Sequence, residues 1–419
     1  MNRFLYSLII WLSIPFALIK ILVKDTHNSL WKVKLKNQLG IVKEIKGQVI
    51  WIHCVSVGEF NASKPLVDAL LSQYSKHKIV ISTTTMTGSV AVKNHYKDNV
   101  IHCFFPFDSQ LIIKSFLNKI NPKICILMET EIWPNLIYSL NKKKIPAALI
   151  NARLSQKSFD KYQKFSPKLV NESLNRISVI CSQNSFTSDR FISLGVNKEK
   201  ILTSGSLKFD INDPIDQSTI NTLKNIVGDR SVAVFASTRD GEEKLIIESY
   251  LKFKDSFNSL LLIVPRHPER FEEAFKIAKT AGLNVKRKSI GEKCAENTDI
   301  LIGDSMGEMM AYYSISDIAF IGGSLTENGS QNMLEAASLS KPIIFGPSVY
   351  NFEEISKQLL DNDASIQVAS ADELMKTISE LILSDSRREK LGANARKIFE
   401  DNKGAVNNVL DAITPYIKS

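Results

Sequence analysis

An α/β fold made of two parallel-sheet domains is predicted by three features of this sequence. Short apolar runs of strand length recur from Val49 to Ala369, most ending in Gly, Ser or Thr where a segment of helical periodicity begins. At 419 residues the chain exceeds what one core usually organises, so two domains of roughly 150 to 200 residues are expected. A polar stretch containing Pro214, GSLKFDINDPID at 205–216, breaks the pattern midway and reads as the linker.

The first element is Phe4 to Val23, FLYSLIIWLSIPFALIKILV, interrupted only by Ser7, Ser13, Pro15 and Lys20 and just long enough to cross a bilayer. Lys24, Lys32, Lys34 and Lys36 follow it against Arg3 before it, which puts the body of the protein in the cytoplasm by the positive-inside rule. No small-residue cleavage site follows, which argues against a removed signal peptide. Pro15 and Lys20 leave a helix lying in the interface open beside a true span. Residues 1–24 are therefore expected to form a membrane anchor, 25–210 a first α/β domain and 211–419 a second.

In the first domain VIWIHCV (49–55), KIVISTTT, VIHCFFP, KICILMET, IPAALIN, ISVICS and ILTSG read as strands. Helical segments separate them, among them 108–118, 133–140 and 185–194. In the second, SVAVFAST, LLLIVP, DILIG, DIAFIG, KPIIFG and ASIQVA continue the series. Three helices, 371–383, 386–399 and 405–416, close the chain. Strands alternating with helices imply parallel sheets, and two such domains are expected to face each other across a cleft.

Charge and cysteine content narrow the partners. The net charge of +9 is concentrated in 1–48 (+6) and 141–176 (+7), so the remainder carries −4. No aromatic platform is interleaved with the basic residues, so nucleic acid is excluded and an anionic membrane or an acidic substrate is the expected partner. The five cysteines are scattered and mostly apolar in context, and read as reduced core residues with neither zinc nor disulfide spacing.

Ligands of parallel sheets bind beyond the carboxyl ends of the strands, where glycine and helix N-termini admit phosphate. The stretch 299–346 carries three such ends. Asp304, Ser305, Gly307, Glu308 and Met309 follow the first, Gly322, Gly323, Ser324 and Gln331 the second, and Asn332 and Glu335 open a helix. A glutamate one turn into a helix can bind ribose hydroxyls, but Ser305-x-x-Glu308 and Asn332-x-x-Glu335 also fit a capping box. In the first domain Glu59 follows a strand end, where a carboxylate can deprotonate a hydroxyl, with Ser56-x-x-Glu59 again a possible capping box. Glu129 and Glu131 gather at the same edge, and Lys208 is the candidate for balancing their charge.

These motifs, WIHCVSVGE, TTTMTGS, FPFD, METEIWPNLI, NARLS, SQN, GSLKFD, ASTRDGEE, LLIVPRHPERF, GDSMGEM, FIGGSL and NMLEAA, resemble in order the lipid A Kdo transferases across nearly the whole chain. The resemblance implies two Rossmann-like domains of the GT-B glycosyltransferase fold. It implies transfer of 3-deoxy-D-manno-octulosonic acid (Kdo) from CMP-Kdo to a lipid A precursor, lipid IVA, at the cytoplasmic face of a Gram-negative inner membrane. It further implies Glu59 as general base with Glu129 and Lys208 in support. Arg266, His267, Gly307, Glu308, Met309, Asn332, Met333, Leu334 and Glu335 would form the CMP site. Gln331 stands where the family usually has histidine; it keeps a hydrogen bond but cannot take up a proton.

The expected mechanism is inverting, with Arg266, His267 and helix N-termini stabilising the departing phosphate. No cofactor or metal is implied, since the DxD-like triplet Asp361-Asn362-Asp363 lies in a polar loop away from the strand ends. Two alternatives are a sugar-nucleotide enzyme of the same fold, such as a lipid-linked GlcNAc transferase or an epimerase, and a non-catalytic nucleotide-binding scaffold. Preference for uridine over cytidine would mark the former. Loss of Glu59 would mark the latter, and Glu59 is present.

Overall fold

The computed structural model describes residues 2–24, 26–210, 216–257 and 259–418. The expected linker at 205–216 lies partly outside them. The chain divides into two compact units, Met1–Asp210 with Lys403–Ser419, and Ile211–Asn402.

The first unit is organised on a seven-stranded parallel sheet. Its strands are β1 (Val49–His53), β2 (Lys78–Thr83), β3 (Ile101–Phe104), β4 (Ile124–Met128), β5 (Ala147–Ala152), β6 (Val179–Ser182) and β7 (Ile201–Thr203), in the order β3-β2-β1-β4-β5-β6-β7. Ile50 and Ile52 point into one apolar cluster and Val49 and Trp51 into another, so helices cover both faces. That is why these strands read as continuous apolar runs rather than alternating ones.

The second unit has β8 (Val232–Thr238), β9 (Leu260–Pro265), β10 (Val285–Arg287), β11 (Ile300–Ile302), β12 (Ile318–Ile321), β13 (Ile343–Phe345) and β14 (Ser365–Gln367). They form a parallel sheet in the order β10-β11-β9-β8-β12-β13-β14. The strand order reverses between β1 and β4 in the first sheet and between β8 and β12 in the second. Such switch points open a crevice at the carboxyl ends.

Two elements differ from expectation. The edge strand β10 was not announced, because Val-Lys-Arg holds a single apolar residue and charged edges are normal for exposed sheet margins. The final helix, Ala405–Lys418, was assigned to the second domain but belongs to the first unit. Its apolar residues Val409, Leu410, Ile413 and Ile417 bury in the cluster containing Ile50 and Leu66, and the amides of Gly404 and Val406 each donate to Asp210 at 2.7 Å.

The apolar N-terminal segment is a helix, Arg3–Lys24, of which Arg3–Val23 is long and apolar enough to cross a membrane.

Candidate active site

β1 and β4 end side by side, and the first site is built there. The helix Val57–Gln73 begins after β1 with Ser56 at its N-cap and Glu59 in its first turn. The capping box is not made. Ser56 forms no side-chain cap, while Glu59 Oε2 accepts from the Val55 amide at 2.7 Å. Burial pushes the Glu59 carboxyl up to about 8; the Val55 N–H opposes the shift, Glu129 and Glu131 add to it, and Lys208 lowers it. These four charges therefore lie together, as the sequence suggested.

Glu129 takes a left-handed backbone, φ 52°, a conformation costly for a residue with a Cβ and typical of functional turns. Glu131 is pushed up to about 7, chiefly by burial, although the Trp133 indole N–H donates to it at 2.6 Å. Beside it sits His53, fully buried and stacked on Phe105 at 3.8 Å between ring centroids. Its Nδ1 lies 3.1 Å from the Ser82 carbonyl oxygen and 3.0 Å from the Ser82 hydroxyl. Nε2 faces Glu131 Oε2, 3.8 Å away. Burial holds His53 down to about 3, so the imidazole is neutral and gives Glu131 no cationic partner. His53 was missed because a histidine inside an apolar strand looks like ordinary core.

In the second unit Arg266 and His267 follow β9. Arg266 Nε donates to Gln331 Oε1 at 3.2 Å, so Gln331 orients this guanidinium. His267 Nε2 lies 2.6 Å from Arg239 Nη1, after β8. Burial and then the Arg239 and Arg266 charges hold His267 below the usual imidazole range. Arg239, within the STRDGEE motif, was not singled out. Together Arg239 and Arg266 make a cationic corner at the β8/β9 ends.

The glycine loop after β12 behaves differently from expectation. Gly322 admits no side chain, since an added Cβ would stand 2.6 Å from the Ser237 carbonyl oxygen. The amides beyond it are already taken. Glu242, fully buried, accepts from the N–H groups of Gly323 at 2.6 Å, Ser324 at 3.0 Å, Leu325 at 2.9 Å and Arg239 at 2.8 Å. An internal carboxylate fills the nest that the sequence assigned to a ligand phosphate.

The other expected donor residues separate by environment. Asn332 is spent locally, its Oδ1 accepting from the Leu334 amide at 3.1 Å and its Nδ2 donating to Glu335 at 3.0 Å. Met333 and Leu334 are fully buried, so they can offer a ligand only backbone groups. Gly307 has φ 79°, which a glycine alone adopts without strain. Glu308 is bound by Lys288 at 2.7 Å and by the Ser305 hydroxyl. The helix begins after it, at Met309, so Ser305 and Glu308 do not form a capping box. An open groove of about 690 Å³ lined by Ile247, Leu251 and Ile277 includes none of these residues.

The model of the 3-deoxy-D-manno-octulosonic-acid transferase (kdotransferase) family matches residues 33–211, and that of glycosyl transferases group 1 matches 245–398. The 3-deoxy-D-manno-octulosonic acid transferase of Haemophilus influenzae is 37% identical over 100% of this chain and 99% of its own length. The chain belongs to the Kdo transferase family. The enzyme of the same name from Bordetella pertussis is 30% identical over 88% of this chain and 87% of its own. This Kdo transferase is therefore a glycosyltransferase.

Its fold is GT-B. A glycosyltransferase from Rickettsia africae shares it at 13% identity and TM-score 0.58, covering 90% of this chain and 100% of that one. A UDP-GlcNAc 2-epimerase from Neisseria meningitidis shares it at 15% identity and TM-score 0.58, covering 88% and 100%. The fold thus accommodates both transferases and epimerases. Sequence, not fold, separates this Kdo transferase from the epimerases.

Proposed function

We propose that the enzyme transfers Kdo from CMP-Kdo to a sugar hydroxyl of a lipid A precursor, with inversion and without metal. The observation that carries this reading is the Glu59 carboxyl at the β1/β4 switch point, lifted toward neutrality beside Glu129, Glu131 and Lys208. A carboxyl of that pKa is a competent base near physiological pH. Glu59 takes the acceptor hydroxyl proton as that oxygen attacks the anomeric carbon opposite the departing CMP. The neighbouring Glu131, raised to about 7 by burial, can in its protonated form donate a hydrogen bond to an anionic group without adding charge. Arg239, Arg266 and His267 would receive the CMP phosphate, and Gly307–Met309 with the Asn332–Glu335 turn would hold the nucleoside.

Cationic side chains at the β8/β9 ends supply the charge that a divalent ion would otherwise carry. Among the described residues no three His, Cys, Asp or Glu side chains group so as to hold a metal. The Asp361-Asn362-Asp363 triplet is exposed, with Asp363 paired to Lys390 at 2.5 Å. The test is Kdo transfer by the purified protein to a tetraacylated lipid A precursor, with CMP-Kdo generated in advance and chelator then present. Product of the mass expected for added Kdo supports the proposal, whereas activity lost to chelator and restored by a divalent cation rejects the metal-free mechanism.

Replacing Arg266 with Ala should raise KM for the donor about 10-fold to 100-fold, the worth of one or two charge-assisted hydrogen bonds. Arg266→Lys should recover only part of this, because a lysine cannot match the forked contact. Steady-state kinetics with varied CMP-Kdo decide it. An unchanged KM would remove Arg266 from the donor site.

We infer that the N-terminal helix attaches the enzyme to the cytoplasmic face of the inner membrane by lying along it. A stripe including Ile10, Ile14, Leu18 and Ile21 is wholly or partly covered along the helix's whole length, while Phe4, Leu8, Trp11, Phe16, Ile19 and Val23 are exposed. A bilayer-crossing helix would have to give up that covered face. The basic residues of the first 48 positions suit an anionic surface.

A further inference from the structure

The N-terminal helix meets the first domain through polar side chains, and they converge on one buried carboxylate. Asp108 is 2% exposed. Its Oδ2 accepts from the Tyr6 hydroxyl at 2.8 Å and from the Asn135 amide at 3.0 Å, and its Oδ1 accepts from the Leu136 amide at 2.7 Å. Asn135 returns a bond from its Nδ2 to the Asp108 carbonyl oxygen at 2.8 Å, and its Oδ1 accepts from the Ser7 hydroxyl at 2.9 Å. One turn away the Arg3 guanidinium lies 3.5 Å above the Tyr138 ring.

Asn135 and Leu136 are the second and third residues of the helix Pro134–Lys142, whose own N-cap, Trp133, provides no side-chain cap. The orphan amides of that first turn are therefore capped by Asp108, from a distant part of the chain. Trp133 is the other end of the connection. Its indole donates to Glu131, and its ring packs on Phe105, which also stacks on His53. A continuous path of hydrogen bonds and ring contacts thus runs from Tyr6 and Ser7, through Asp108 and the helix N-terminus, to the loop carrying Glu129 and Glu131.

We propose that Asp108 is a positioning residue which locks the first turns of the membrane-binding helix to the Glu129–Trp133 loop, so that seating of the helix sets the geometry of the acceptor-side carboxylates. The proposal rests on the assignment of that loop to acceptor chemistry. A tether needs only the apolar face of the helix. The Tyr6, Ser7 and Arg3 contacts lie on the covered side and add nothing to lipid affinity, but they fix where the loop ends.

The test compares full-length wild type, Tyr6→Phe and Asp108→Asn in vesicles of phosphatidylethanolamine and phosphatidylglycerol. Three quantities are read: vesicle co-sedimentation, amide hydrogen exchange, and transfer kinetics with donor and acceptor varied separately. For Tyr6→Phe we expect unchanged vesicle binding and exchange about 10-fold faster at 129–136, the effect of losing one hydrogen bond to a charged group. The core of β1 should stay protected, with kcat reduced about threefold to tenfold and KM for the donor unmoved. Asp108→Asn turns an NH₂ group toward backbone donors and should enlarge both effects. If it unfolds the domain, exchange rises throughout β1 as well, and Tyr6→Phe alone carries the test.

Unchanged exchange at 129–136 in Tyr6→Phe overturns the lock. Faster exchange with unchanged kcat overturns its link to the chemistry, and activity lost in proportion to vesicle binding reduces the helix to a tether. Failure of the general-base assignment would be separate, appearing as retained activity in Glu59→Gln while the exchange result stands.

Discussion

Glu59→Gln should lower Kdo transfer by about 10²-fold to 10⁴-fold, the range for a lost general base, while leaving donor binding intact. Glutamine keeps the shape and can still accept from the Val55 amide, so the start of the helix survives. The pH profile adds a second signature. With the Glu59 carboxyl lifted to about 8, kcat/KM of the wild type should climb with pH and level off above that value, and the climb should vanish in the variant.

Stability should move the other way. A folded-state pKa raised from 4.5 to about 8 means that the native protein binds more protons than the unfolded chain between those values, so Glu59 withdraws stability as pH rises through that window. The glutamine variant has no such charge to bury. It should therefore melt higher than the wild type at pH 8, which distinguishes a dead catalyst from a damaged fold. A variant as active as the wild type would return Glu59 to a helix-capping role.

The strand ends were legible because both sheets are buried on two faces, and such strands announce themselves as apolar runs with a small residue where the backbone turns. Glu59, Glu129 and Gln331 could be located that way, while Arg266 came from the family resemblance. Asp108 could not. It was read as the first residue of a helix, but that helix starts at Gln110 with Ser109 as its N-cap, and the carboxylate instead caps a helix far along the chain. His53 was hidden for a related reason, since its importance comes from facing Glu131 in the fold and not from its neighbours in sequence. Capping boxes were ambiguous because spacing defines which side chains can meet, not which backbone donors they choose. Glu59 reaches Val55 rather than Ser56, and Glu335 meets the Asn332 side chain rather than its amide.

Glu242→Ala is expected to be the most destabilising single change in the second domain, costing about 3–5 kcal/mol, as for removal of one partner from a buried charged cluster. Four backbone N–H groups converge on this carboxylate with no exposed surface around it. Burial raises its pKa and the Gly323, Arg239 and Leu325 amides oppose that shift, so the site is built around the charged form. At roughly 2–4 °C per kcal/mol for a domain of this size, thermal unfolding should fall by on the order of 10 °C. Glu269→Ala, a comparable change at an exposed position, should move it by about one degree.

Formate supplies the missing carboxylate and should bind the vacated nest, raising the variant's melting temperature while leaving the wild type unmoved. Donor KM should rise in the same variant, since Glu242 ties the Arg239 backbone to the loop after β12. A variant that melts like the wild type would mean that water replaces the carboxylate without loss, and a destabilised one indifferent to formate would mean that the nest does not persist without Glu242.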